Sequence, residues 1–325
     1  MHIAANKPLC KDLPMLHDFF FPITLLLILT FTLTKARASE VVHVFILAGQ
    51  SNMVGAGEVE TNLFRNGGKG SLQWLTENSS TKDSYSHLKT NTGAWVQRDD
   101  VLIWFLDSKG PLEPGYGSNP NKIGPELGFG WTVGDAFEEP VLLIKLAWGG
   151  KSLAEDFRPP GLDGDTGPYY DRVIETTKEI LNTADQLFPE LKGKTFQLTG
   201  FGWHQGWNDR INQSFNDAYE NNMIQFIKDV RRDLQKPTLP FVIAETGMSG
   251  LGEKHPRALA LMAAQKAVAD YPDFKSNVAF VPTQEFYRPP EDSPSKQAYH
   301  WNNNAETYYL IGENMAYAMI RLLQH

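Results

Sequence analysis

Short, nearly continuous apolar runs alternate along the chain with longer segments whose apolar residues recur at helical spacing. The runs at 43–48, 141–147, 196–203, 240–245 and 277–281 read as strands. The segments 125–137, 169–187, 217–234, 256–270 and 305–323 read as helices. Apolar residues at successive positions, as in Val141-Leu142-Leu143-Ile144, mark strands buried on both faces. The pattern predicts an α/β fold: a five-stranded, mainly parallel sheet with helices on both sides, three layers in all. Sites in such folds lie past the carboxyl ends of the strands. Ser51, Gly149-Gly150 and the stretch from His204 to Asp209 all fall there.

Residues 56–122 break the rhythm. They are rich in Gly, Asn, Ser and Pro and carry Trp74, Trp95 and Trp104. Segments 94–97 and 101–105 read as a hairpin, and the stretch as a surface insertion in a single domain spanning 39–325. The competing reading is a rim that shapes a substrate cleft.

The first 38 residues change the picture of the mature chain. Residues 19–33 are apolar apart from Pro22, Thr24, Thr30 and Thr32, with Lys7 and Lys11 before them and Ala36-Arg37-Ala38 after. The run is short and interrupted for a membrane span, and the flanks match a secretory signal peptide cleaved before Ser39. The expected product is secreted or periplasmic, with no stable membrane partner. Removing four cations and two acids with the leader moves the net charge from −8 to −10. An acidic chain without a basic patch argues against nucleic acid as a partner. The only cysteine, Cys10, leaves with the leader, so the mature chain has no disulfide, thiol nucleophile or thiolate metal site.

The first strand delivers Ser51 through Gly49-Gln50 into a turn, a common way to present a nucleophile. A serine hydroxyl needs a base and an oxyanion hole. Of the mature histidines, His300 is the best base, because a loop before the last helix returns over the end of the first strand. Gln205 and Asn208, after the third strand, offer amide donors, and Gly149 and Gly150 can aim a backbone N–H at the same point. Other motifs fail. Gly150-Lys151-Ser152 lacks the P-loop glycine, since Lys145 holds that place. Met53 replaces the second glycine of G-x-S-x-G, which argues against an α/β-hydrolase elbow. H-E-x-x-H is absent, and His204 with Asp209 lacks a third metal ligand.

Together, Gly49-Gln50-Ser51-Asn52-Met53, Gly124-Pro125-Glu126, Lys145-Leu146-Ala147-Trp148-Gly149-Gly150, Trp203-His204-Gln205-Gly206 and His300 resemble the SGNH hydrolase superfamily. Within it they look like the sialate O-acetylesterase-like, acetylxylan-esterase-related branch. The resemblance implies a flavodoxin-like fold and a serine esterase acting on an acetylated glycan, with no metal or organic cofactor needed. Ser51 would be the nucleophile and His300 the general base. The N–H groups of Ser51 and of Gly149 or Gly150 would form the oxyanion hole, with Gln205 or Asn208 adding a side-chain donor. The superfamily's aspartate three residues before the histidine is Gln297 here. The expected arrangement is therefore a dyad or a triad completed by Asp209, then by Asp292, then by Glu245. Trp207 also replaces the glutamate usual in the carbohydrate-esterase branch. The competing functions are a non-catalytic carbohydrate-binding protein, suggested by Gln297 and eight tryptophans, and a lipase.

Overall fold

A computed structural model describes residues 41–324. The predicted leader, residues 1–38, lies outside the described residues. Five long helices stand at the predicted places: α1 (Glu126–Ala136), α2 (Pro168–Leu187), α3 (Gln213–Asp233), α4 (Pro256–Ala269) and α5 (Ala305–Leu323). Helix α3 begins ahead of the expected Asp217 because the Asn212 side chain caps the N–H groups of Ser214 and Phe215.

The sheet has seven strands where five were expected. In chain order they are β1 (Val41–Gly49), β2 (Arg98–Phe105), β3 (Ser108–Leu112), β4 (Val141–Ala147), β5 (Thr195–His204), β6 (Phe241–Ala244) and β7 (Val278–Val281). Their spatial order is β3-β2-β4-β1-β5-β6-β7. Only the β2–β3 pair is antiparallel. The two unexpected strands come from the region read as an insertion. Val101 to Phe105 pairs in parallel with Val141 to Lys145, and the hairpin partner of β2 is β3, not residues 94–97. Strand β3 escapes a pattern reading because it is an edge strand whose Lys109-Gly110-Pro111 shows no alternation.

The five expected strands keep the flavodoxin order 2-1-3-4-5. The chain leaves β1 for β4 on one side, then returns to β5 on the other, so a crevice opens above β1. Along β1, Val42, Val44, Ile46 and Ala48 pack with α2, α3 and α4, while Phe45 and Leu47 pack with α1 and α5. This period-two division explains the apolar run: both faces of the strand are core. On one face α1 and α5 approach so closely that a Cβ at Gly312 would sit 1.9 Å from the Pro125 carbonyl oxygen.

Register then positions the site. Gly49 is level with Ala147 on one side and His204 on the other. The residues just past these three adjacent strand ends are Ser51, Gly149 and Gln205.

Candidate active site

Ser51 opens a one-turn helix, Ser51–Val54, directly after β1. Gly49 permits this. Its φ is 153°, and a Cβ there would lie 2.2 Å from the His204 carbonyl oxygen. Both neighbours of Ser51 are buried amides that hold the turn. Gln50 accepts from the N–H of Gly206 (3.0 Å) and of Asn208 (3.3 Å). Asn52 donates to the Tyr299 carbonyl (3.1 Å) and accepts from the Tyr308 hydroxyl (2.8 Å), which also reaches the His300 carbonyl (3.3 Å). The sequence reading assigns Gln50, Asn52 and Tyr308 no part in the site's chemistry. The available signal was a serine bracketed by two amides that the fold would have to bury.

His300 sits in the loop Ala298–Asn303 ahead of α5. The next three residues, Trp301, Asn302 and Asn303, have φ of 50°, 54° and 59°. Asparagine tolerates the left-handed region, but tryptophan there is strained by about 1–3 kcal/mol. Surrounding bonds hold the conformation: Asn302 N–H to the Gln297 carbonyl (3.0 Å), the Asn302 amide to the Arg288 carbonyl (3.0 Å) and the Asn303 amide to the Ala56 carbonyl (2.9 Å). The fully buried Trp301 ring stacks on His204. Strain held this way fixes where the imidazole stands.

Ser51, Gly149, Gln297 and His300 line one cavity of about 410 Å³, with Lys122 and Ser118 at its wall. Among the described residues, no acceptor takes the backbone N–H of Ser51 or Gly149. A Cβ on Gly149 would be 4.0 Å from the Ser51 Cβ, so Gly149 lies beside the serine. Burial lowers the His300 pKa below its ordinary value, and the nearby Lys122 ammonium lowers it further. His204 is buried, with its pKa lowered to about 4, and is neutral.

The remaining expected site residues serve elsewhere. Both amide hydrogens of Gln205 are used, on the Lys151 carbonyl (3.0 Å) and on Asp209 (2.5 Å), so Gln205 is not an oxyanion donor. Asn208 donates to the Gly150 carbonyl (2.7 Å), accepts from Gln50, and braces the loop after β4. Gly150 thus enters through its carbonyl.

Asp209 is fully buried, and its carboxylate accepts from the N–H groups of Leu153 (2.8 Å) and Ala154 (3.0 Å) as well as from Gln205. This corrects its expected role behind His300: its oxygens anchor the loop after β4. Burial raises its pKa to about 6 against the pull of those donors. Asp292 pairs with Lys69 at the surface, and Glu245 accepts from the N–H groups of Thr283 and Gln284. Among the described residues, no carboxylate is hydrogen-bonded to His300.

A flavodoxin-ordered sheet, with a serine past its first strand and a histidine before its last helix in one cavity, is the arrangement of an SGNH-type hydrolase. Residues 41–321 match the family described as carbohydrate esterase, sialic acid-specific acetylesterase. The chain belongs to that family and is a carbohydrate esterase. It is 26% identical over 206 residues to a probable carbohydrate esterase of Arabidopsis thaliana, covering 62% of this chain and 67% of that protein. An Arabidopsis thaliana crystal structure has the same fold, with a TM-score of 0.56 at 20% identity, covering 86% of this chain and 97% of that one. A carbohydrate acetylesterase from Xanthomonas citri gives a TM-score of 0.49 at 13% identity, over 84% of this chain and 56% of that one.

Proposed function

We propose that this chain is an exported serine esterase that removes O-acetyl groups from a carbohydrate. The observation that carries the reading is the shared cavity of Ser51 and His300, into which Gly149 also opens. His300 takes the Ser51 proton as the serine oxygen attacks the acetyl carbonyl carbon. The N–H groups of Ser51 and Gly149 receive the negative oxygen. His300 then protonates the departing sugar oxygen, leaving an acetyl-serine. Water, deprotonated by His300, releases acetate and restores the hydroxyl. With no carboxylate hydrogen-bonded to the imidazole among the described residues, the pair acts as a dyad.

The test expresses the full sequence and recovers the exported chain. Expected are an N-terminus at Ser39, acetate release from acetylated sugars and p-nitrophenyl acetate, and fluorophosphonate labelling at Ser51. An intact leader would overturn export. Glycan binding with neither acetate release nor labelling would replace the esterase reading with a binding one, and a preference for long acyl chains would replace it with a lipase.

The base must be neutral to accept a proton, so a lowered pKa extends activity to more acidic pH. The acidic limb of kcat/KM is expected below the free-histidine value of 6.5. Lys122→Met, which removes the adjacent cation, is expected to move the limb upward. A limb that stays in place in this variant would take Lys122 out of the base's environment.

A further inference from the structure

One lysine in the most buried part of the sheet has no part in this reaction. Lys145, on β4, and Glu126, at the start of α1, have fully buried side chains and pair at 2.6 Å. Burial raises the Glu126 pKa and lowers that of Lys145, which reflects the cost of keeping charges from water. An apolar pair would pack here as well or better, so stability alone is a weak reason for the ions.

What an apolar pair would not do is bind carbonyls. The Lys145 ammonium also donates to the carbonyls of Val54 (2.7 Å) and Tyr116 (2.6 Å). The other oxygen of Glu126 accepts from the Gly124 N–H (2.8 Å). Val54 ends the turn that Ser51 begins, and a one-turn helix leaves its last carbonyls without helical partners. Tyr116 and Gly124 flank the segment that brings Ser118 and Lys122 to the cavity. The contact is close: a Cβ at Gly124 would lie 2.9 Å from the Val54 carbonyl oxygen and 2.5 Å from Glu126. One buried pair therefore ties the nucleophile's turn to the 116–124 segment of the cleft wall.

We propose that Lys145 and Glu126 are positioning residues that set the Ser51 turn against the cleft wall. The proposal rests on the serine-esterase reading. The discriminating variant is Lys145→Met/Glu126→Gln, in which methionine fills the lysine's volume and glutamine still accepts from Gly124. Its denaturation midpoint is expected to fall, because the Val54 and Tyr116 carbonyls lose their donor, while the chain stays folded at the assay temperature. Its kcat on p-nitrophenyl acetate is expected to fall about 10–100-fold, the scale of a nucleophile misplaced by about 1 Å, with KM within about twofold. The rate of Ser51 labelling by a fluorophosphonate is expected to fall with kcat. Wild-type kcat and labelling in the folded variant would overturn the proposal, as would a rise in KM alone. Glu126→Gln by itself, which keeps the ammonium, is expected to lose less. Failure of both variants to fold would assign the pair to folding and also overturn it. An inactive wild type would instead count against the serine-esterase reading.

Discussion

Ser51→Ala is expected to lower kcat for acetate release by a factor on the order of 10⁴–10⁶ while leaving the fold intact. The hydroxyl has no hydrogen-bond partner among the described residues, so its loss strands no other group. The turn that carries it is held by Gln50, Asn52 and Gly49, none of which the substitution touches. On the proposed mechanism His300→Ala costs a similar factor, and the double variant is hardly worse than either alone, because a nucleophile and its base act as one unit. Residual turnover would report what the free N–H groups contribute by binding the oxyanion. Undiminished acetate release by Ser51→Ala, measured on the purified chain, would remove the serine mechanism.

Asp209→Ala is expected to destabilise the fold by about 3–9 kcal/mol, since two buried backbone N–H groups and the Gln205 amide lose their acceptor at about 1–3 kcal/mol each. A triad acid would behave differently, with kcat reduced about 10⁴-fold in a protein of unchanged stability. The urea midpoint and kcat, measured together, separate the two roles. A wild-type midpoint with a large loss of kcat would restore Asp209 behind His300. The pH dependence has a definite sign. A carboxyl raised to about 6 from 3.8 makes the folded state bind a proton that the unfolded chain does not. This group's contribution to stability therefore weakens as pH rises through that window.

How much was legible depended on whether a signal was local. The five expected strands could be read because each is a run of apolar residues buried on both faces. Strand β2 has the same signature in Val101-Leu102-Ile103-Trp104-Phe105, yet its pattern suggests a hairpin with 94–97, because a parallel partner some 40 residues away leaves no mark on it. Lys145 interrupts an apolar run, and nothing beside it in sequence shows that Glu126 arrives from a helix to meet it. Ser51 and His300 stand out as candidates because strand, turn and flanking residues mark them, and both line one cavity.

The sequence by itself determined the layer architecture and singled out the serine and the histidine that line one cavity, since these readings follow from periodicity and from chemistry that few residue types can perform. Only the tertiary structure decided which polar groups face the cleft. Gln205 and Asp209 sit at the expected place after β5, yet turn to backbone groups of the loop after β4. The physical reason is that a buried polar side chain goes to the nearest unsatisfied partner, and that partner is brought by a strand distant in the chain.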